Sequence, residues 1–294
     1  MFKRLLPHRW FQPTISLCCL LAGCFLTTTS SVYAQSDTIV PNDMAHGSVS
    51  PRVESFESEL ETDPQIDPFA IPDDPLDSPY PVPWKWLIET QGEFSQKQTT
   101  GSRYYRSQAL VSPDGKYAAY TRIQLTATPE LYQSRVTSVM FVENLETGEL
   151  QVIRADSPLA KELKAVQSDE EIPGIMSILM PVSWSENGDR LLSRQLEGFF
   201  NTSDASDYGV IWERKTNETK TVTPSPDSHN TSILLGWNHD RNDEVLFKTG
   251  SLGEENWPVA SVTPNGKVFL ANNPESITYG KLMTQSWTGN QTLY

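Results

Sequence analysis

Cysteine is nearly missing from this chain, and its position excludes it from the chemistry of any folded part. The three cysteines, Cys18, Cys19 and Cys24, all lie in the first 34 residues of 294. Once those residues are removed, the remainder has no disulfide, no thiolate nucleophile and no cysteine-based zinc site. The folded part must therefore be held by an ordinary hydrophobic core.

Basic residues and histidines are also few. The chain has 23 Lys and Arg against 37 Asp and Glu, a net charge of −14. That balance argues against nucleic acid and anionic membrane surfaces as partners, because both need clustered positive charge. After residue 83 only His229 and His239 are present, and no Gly-x-Ser-x-Gly motif occurs. We predict no catalytic, cofactor or metal site, and interpret His239 with Asp240 and Asp243 as a polar turn.

Apolar runs of membrane-spanning length are missing as well. The run 14–26, TISLCCLLAGCFL, has only 13 residues and follows Lys3, Arg4 and Arg9. A positive start followed by a short apolar run is typical of a signal peptide, whereas a transmembrane helix needs about 20 apolar residues. We therefore predict a signal peptide at 1–34 and an exported protein, periplasmic or secreted.

Two processing routes fit this segment. Small residues before Gln35 suit cleavage after Ala34, whereas Leu21-Ala22-Gly23-Cys24 resembles the bacterial lipobox, in which Cys24 is lipidated. The apolar run continues past Cys24, which favours cleavage after Ala34. In the lipoprotein alternative, which stays open, the lipid anchor is the membrane contact.

Residues 35–83 differ in composition from everything that follows. They hold eleven acidic residues, one basic residue and nine prolines. Prolines remove backbone donors, like charges repel, and few large apolar residues are available to offset the ordering entropy. We predict a disordered or extended acidic tether over 35–83 and a folded domain over 84–294.

Paired hairpin patterns recur along that domain. ALVSPDGKYAAYTRI (109–123) places a turn between two strand-like runs, and VMFVENLETGELQVI (139–153) repeats the arrangement. A second pair occupies 182–224 and a third occupies 233–272, so each pair supplies four antiparallel strands. The turn residues are Pro113, Asp114, Gly115, Gly148, Asn187, Gly188, Asn265 and Gly266.

Recurring four-stranded motifs predict an all-β, β-propeller-like array. The length suits about four to five blades, closed or open. Residues 84–111 and 271–294 would share a further blade between the termini. An insertion at 124–138 and one short helix near 158–167 lengthen the first interval. Most of the aromatic residues are interpreted as inter-blade core.

The same residues carry a family resemblance. VSPDGKYAAYT followed by VENLETGELQVI resembles the blade motif of TolB-like propellers and of the propeller domains of prolyl oligopeptidases. VSWSENGDRLL is similar, with Asn187 for the usual Asp and no proline. The resemblance covers about 112–270 and implies an exported propeller that binds proteins or small molecules. Neither the six blades with an α/β domain of TolB nor the hydrolase domain of the peptidases fits this chain.

These patterns favour a non-catalytic binding module or scaffold that acts on an envelope protein partner of the bacterial cell. A polysaccharide-active enzyme that uses carboxylates, and a small-ligand or metal sensor, are the alternatives on the same fold. The sequence does not identify the partner.

Overall fold

The computed structural model describes residues 71–155, 158–159, 172–224, 231–272 and 274–283. These are mostly β-strand, with a curled, half-barrel sheet of ten strands, a five-stranded sheet and one helix longer than a single turn. The elements are α1 (Trp84–Lys97), β1 (Gly101–Arg106), β2 (Ala109–Val111), β3 (Tyr117–Ala127), β4 (Arg135–Asn144), β5 (Leu150–Ile153), β6 (Ile175–Trp184), β7 (Arg190–Phe199), β8 (Ala205–Glu213), β9 (Glu218–Val222), β10 (Thr231–Asn238), β11 (Val245–Gly250), β12 (Val259–Val262), β13 (Val268–Leu270), β14 (Ser276–Ile277) and β15 (Lys281–Met283).

Several predicted features lie outside the described residues. They are the signal segment with Cys24, Ala34 and Gln35, the tether as far as residue 70, most of the predicted helix at 158–167, and the last residues from 284.

The strands form three successive antiparallel meanders, here named unit 1 (β2–β5), unit 2 (β6–β9) and unit 3 (β10–β13). Each matches one of the three hairpin pairs that the sequence predicts. The predicted insertion at 124–138 consists mainly of the long ends of β3 and β4, which pair as far as Thr126 with Arg135. Within the described residues there are three such units rather than four to five.

Residues 84–97 form a helix, so the prediction that they help to build a blade is wrong. Leu87, Thr90, Gln91 and Phe94 are buried, and their spacing of three and four residues places them on one helical face. Such spacing is the pattern of a helix with one buried side. The helix ends at Gln98, which adopts the left-handed conformation.

The predicted turn residues lie in tight turns at one end of the strands. Gly115, Gly188 and Gly266 have φ angles of 72°, 69° and 76°, a conformation that favours glycine. Each donates its N–H to the carbonyl of the Ser or Thr three residues earlier at 2.9 Å. Gly148, with φ 73°, closes the turn between β4 and β5. The same hydrogen-bonded turn therefore recurs in all three units. Pro113, Asp114, Asn187 and Asn265 lie inside these turns.

Two buried tryptophans join successive units. The indole N–H of Trp184 in unit 2 donates to the carbonyl of Leu110 in unit 1 at 3.0 Å. The indole N–H of Trp237 in unit 3 donates to the carbonyl of Trp184 at 2.9 Å. Both side chains are fully buried in the apolar clusters between the units. The same type of hydrogen bond therefore joins unit 2 to unit 1 and unit 3 to unit 2.

Residues 276–283 connect the first strands of all three units. β14 pairs with β10, so that Ile277 is opposite Trp237, and Tyr279 bridges to Trp184 of β6. β15 then pairs with β2, where Lys281 is opposite Val111. A segment close to the C-terminus therefore pairs with the start of the array, although not as the split blade that the sequence predicts.

The packed region also begins before residue 84. Asp74, Ser78 and Val82 are buried, although they lie in the segment predicted as a tether. The Tyr80 hydroxyl donates to the carbonyl of Leu235 at 2.8 Å. Residues 71–83 thus pack on the strands despite their acidic, proline-rich composition.

Candidate functional site

The most exposed apolar strand of the described chain is β13, at the edge of the five-stranded sheet ordered β13-β12-β11-β10-β14. Val268 and Phe269 are each 44% exposed and Leu270 is 71% exposed. Three consecutive exposed apolar residues on an edge strand are unusual, since native edges are commonly protected by charge, proline or a cover. The strand is therefore a candidate for pairing with another chain.

On one side the backbone of β13 pairs with β12, and on its other side no strand among the described residues pairs with it. Ala271 N–H donates to the Val259 carbonyl, and Thr263 N–H donates to the Lys267 carbonyl, both at 2.9 Å. Because hydrogen-bonding direction alternates along an antiparallel strand, residues 267, 269 and 271 face β12. The amide and carbonyl groups of residues 268 and 270 consequently face away from the sheet.

Positive charge lies beside this edge. The Arg241 guanidinium is 5.9 Å from the centre of the Phe269 ring and 3.0 Å from the Glu244 carboxylate. Glu244 also accepts a short hydrogen bond from Ser261. Burial alone would raise the pKa of Glu244, but the hydrogen bonds from Ser261 and Arg241 hold it below its usual value. With Lys267, which directly precedes the strand, the edge combines apolar side chains with two cations.

A second notable cluster is ionic and fully enclosed. The Arg194 guanidinium is 2.7 Å from a carboxylate oxygen of Asp207 and 2.6 Å and 3.0 Å from the two oxygens of Asp74. All three side chains are at most 2% exposed. Asp74 also accepts backbone N–H groups of Leu76, Ser78 and Val82, while Asp207 accepts that of Leu234. The cluster joins residues 74–82 to β7, β8 and β10. Each carboxylate oxygen already accepts a hydrogen bond from within the protein, which indicates a structural role.

The two carboxylates of this cluster have opposite pKa shifts. Complete burial raises the pKa of Asp207 to about 6 although Arg194 favours its ionised form. Burial acts in the same direction on Asp74, but the hydrogen bond and charge of Arg194 and the backbone N–H donors outweigh it and lower its pKa. Two carboxylates share one guanidinium, so a proton is held most readily at the more deeply buried Asp207.

A shallow cleft lies at the turn between β6 and β7. Its lining includes Arg190, Trp237, Asn242, Tyr279 and Glu186. The Arg190 guanidinium is 5.2 Å from the centre of the Trp237 ring and donates to the Asn242 carbonyl at 3.1 Å. The cleft therefore offers polar groups beside an aromatic ring, although the Arg190 guanidinium already donates a hydrogen bond to the Asn242 carbonyl.

The structure does not bring His239 and its neighbouring aspartates together as a catalytic or metal-binding group. His239 is half-exposed, 3.3 Å from Asp240, in the turn between β10 and β11. Among the described residues no three His, Cys, Asp or Glu side chains form a group that could hold a metal ion. Asp114, one of the turn residues, pairs with Arg214 at 2.8 Å, which links the first turn of unit 1 to the turn that follows β8 in unit 2. These positions stabilise turns.

The aromatic residues divide between core and surface. Trp212 is fully buried, and its indole N–H donates to Asn217 at 2.8 Å. Trp86 packs against Tyr105 with ring centres 5.3 Å apart, whereas Tyr104 is 65% exposed. Trp84 and Trp257 are partly buried, and Trp287 lies outside the described residues.

The sequence alone predicts neither the unpaired edge of β13 nor the buried cluster of Arg194, Asp74 and Asp207. The hairpin that contains β13 was predicted from Asn265-Gly266, but nothing local indicates that its outer side stays open. Arg194 and Asp74 are 120 residues apart in sequence, so their pairing carries no local signal.

No protein-family model matches this chain, and a search of curated proteins finds no similar sequence. In the part of the chain that the structure describes, no helix has the length and apolar character needed to cross a membrane.

Proposed function

We propose that this chain is an exported, non-catalytic binding module of the bacterial cell envelope that takes an extended segment of a partner protein on β13. The exposed apolar edge strand carries the proposal, because an open strand edge is the template for β-augmentation. Main-chain hydrogen bonds at residues 268 and 270 would give affinity. The partner segment would be apolar and flanked by acidic residues, which suit Lys267 and Arg241.

The proposal includes an architecture and a compartment. We propose that the three meanders are blades of an open, TolB-like propeller array, and the repeated tryptophan hydrogen bonds between units support this. The basic start and short apolar run at the N-terminus support export through 1–34, with lipidation at Cys24 as the alternative.

A proline substitution can block the edge without breaking its hairpin. The Leu270 amide faces away from β12, and proline is tolerated on edge strands whose amide faces solvent. Leu270→Pro should therefore retain the β12–β13 ladder while removing an outward donor. Leu252→Lys, in the loop after β11, is the matched control because Leu252 is 57% exposed and lies off this strand.

The test is a quantitative affinity capture with the full chain and both variants in envelope extract of the producing cells. A partner whose yield falls roughly tenfold with Leu270→Pro, but is unchanged with Leu252→Lys, supports the proposal; that factor corresponds to about 1.4 kcal/mol. A synthetic peptide from the partner's extended segment should then bind the full chain with the same dependence on residue 270. Partners retained equally by all three proteins would refute β13 as the site.

The cleft beside Arg190 favours a second candidate, binding of a small polar ligand. Aromatic rings beside hydrogen-bonding groups are typical of such sites. A ligand-dependent rise in melting temperature that disappears in Tyr279→Ala, but persists in Leu270→Pro, would support this candidate.

A further inference from the structure

The residues of β13 complement themselves when two copies of the strand run in opposite directions. The outward backbone groups of Val268 and Leu270 lie symmetrically on either side of Phe269. In an antiparallel pair centred on Phe269, Val268 of each copy lies opposite Leu270 of the other, and the two Phe269 residues face each other. Each pair of Val268 with Leu270 then exchanges both of its N–H and C=O bonds. The open edge is therefore a template for a second copy of itself.

The positions of the apolar residues select this register over the neighbouring ones. Outward groups recur at every second residue, so a two-fold pair centred on residue 268 or residue 270 would also form backbone bonds. A centre at residue 268 places Lys267 opposite Phe269, and a centre at residue 270 places Val268 opposite Asn272. Only the centre at Phe269 sets all three apolar residues against apolar residues. Register follows the hydrophobic pattern, which favours this pairing.

The charges beside β13 do not oppose this pairing. Lys267 lies opposite Ala271 of the other copy, and the two Lys267 residues are four positions apart along the paired strands, about 14 Å. That separation exceeds the distance of about 10 Å over which exposed charges interact at ordinary salt. Arg241, the other cation, is 3.0 Å from the Glu244 carboxylate of its own copy. Like charges directly opposite each other, which destabilise a strand pair, are therefore avoided.

A second copy would also continue the apolar layer of the five-stranded sheet. Val268 is opposite Val262 and Leu270 is opposite Ala260 in β12, and both β12 residues are buried. Residues opposite each other on paired strands project to the same side. The side chains of Val268 and Leu270 from two copies would therefore extend this buried layer across the junction, while the two Phe269 rings would meet on the other side of the sheet.

We propose that, in the absence of its partner, β13 pairs antiparallel with β13 of a second copy about a two-fold axis at Phe269. Such a contact uses the same patch on both copies, so it closes at two chains and does not grow into a fibre. The inference rests on the function proposed above, because a second copy and a partner segment use the same backbone groups at residues 268 and 270. The partner then binds by displacing the second copy, and protein concentration regulates the site.

The test is sedimentation equilibrium of the full chain over a range of concentrations, without partner and with a reducing agent that prevents disulfides between copies. Phe269→Lys and Phe269→Glu should each weaken self-association about tenfold or more, because each places two like charges opposite each other. An equimolar mixture of these two variants should recover association at low salt, since unlike charges then face each other at residue 269. Leu270→Pro should weaken association similarly, whereas Leu252→Lys, off the strand, should stay within about twofold of wild type.

Three results would overturn the self-pairing. They are a wild-type chain that stays monomeric at all concentrations, association that is equal in wild type and in the variants of residues 269 and 270, and a mixture of Phe269→Lys with Phe269→Glu that associates no better than either variant alone. A monomeric wild type whose partner capture still depends on residue 270 would refute the self-pairing and leave the proposed function intact. A dimer that depends on residue 269, with no partner captured at β13, would support the self-pairing and refute the proposed function.

Discussion

A single side chain, that of Arg194, holds together three parts of the chain. Its guanidinium binds Asp207 on the neighbouring strand and Asp74 in the segment before α1, and one of its N–H groups donates to the Tyr80 carbonyl at 2.8 Å. A buried ion pair adds little stability relative to an apolar replacement of the whole pair. Loss of one partner is different, because the other charge stays buried and uncompensated.

Replacing Arg194 by methionine should destabilise the protein strongly. Both carboxylates would remain buried without their cation, and breaking a buried pair in this way costs about 3–5 kcal/mol. Urea unfolding of the full chain measures the loss, with Arg122→Met as the control because Arg122 is exposed. A loss below about 1 kcal/mol for Arg194→Met would show that the cluster relaxes or admits water.

The raised pKa of Asp207 predicts a particular pH dependence. A group whose pKa is raised on folding contributes stability that is full below its unfolded value of 3.8 and is lost as the pH rises through about 6. The unfolding free energy should therefore fall between about pH 4 and pH 6, with a slope of at most about 1.4 kcal/mol per pH unit. Asp74, whose pKa is lowered, acts only at more acidic pH.

Asp207→Asn should remove this slope, because asparagine does not titrate. Urea unfolding of both proteins at several pH values across the window provides the comparison. A wild-type stability that increases with pH over the same range would contradict the assignment.

At the scale of elements, three four-stranded meanders are joined in succession by tryptophan hydrogen bonds. Trp184 and Trp237 occupy equivalent positions before the first turns of units 2 and 3, and each indole donates to a carbonyl of the preceding unit. The Trp184 carbonyl also accepts the Ser183 hydroxyl at 2.7 Å, so loss of an indole removes one hydrogen bond, worth about 0.5–1.5 kcal/mol, without leaving that carbonyl unpaired. The tryptophans therefore fix the position of each unit against the one before it.

Trp184→Phe and Trp237→Phe should each lower the unfolding free energy by about 0.5–1.5 kcal/mol through the lost hydrogen bond, with a further loss from reduced packing. Trp257→Phe serves as the control, since the Trp257 indole is partly buried and donates only to the nearby Ser251 carbonyl at 3.2 Å. Denaturant unfolding monitored by circular dichroism compares the three. Equal small losses at all three positions would show that the inter-unit bonds add nothing.

At the scale of the whole molecule, residues 276–283 contact the first strands of all three units. Tyr279 is central, because its carbonyl accepts the Trp184 N–H at 3.0 Å and its own N–H donates to the Ser183 hydroxyl at 2.8 Å. The same segment reaches β10 on one side and β2 on the other. Its pairing with β2 joins residues that are far apart in sequence, such as Lys281 and Val111.

Tyr279→Pro should loosen this connection, because proline cannot donate to Ser183. We expect a loss of about 1–3 kcal/mol and faster hydrogen exchange at the first strands of all three units. Tyr279→Phe keeps the backbone donor and should remain close to wild type. Exchange that accelerates only at β15 would show that the units do not depend on this segment.

Local chemistry made the hairpins predictable. A Ser or Thr followed three residues later by Gly, with Asp or Asn between, favours a tight turn wherever it occurs, and the positive φ angles of Gly115, Gly188 and Gly266 follow from that sequence. The helix over 84–97 also has a local basis, since the residues that become buried are spaced by three and four. The prediction of a blade shared between the termini assigned this segment to a sheet instead.

The sequence by itself thus determined the turns, the alternation of the strands and the grouping of strands in fours, because each depends on neighbouring residues. Tertiary structure alone decided which strand edge stays open, which distant carboxylates meet Arg194, and where residues 276–283 pair. Those features depend on contacts between segments far apart in the chain, whose partners are chosen only when the whole chain packs. The edge at β13 arises in this way, and the proposal for function therefore rests on the fold.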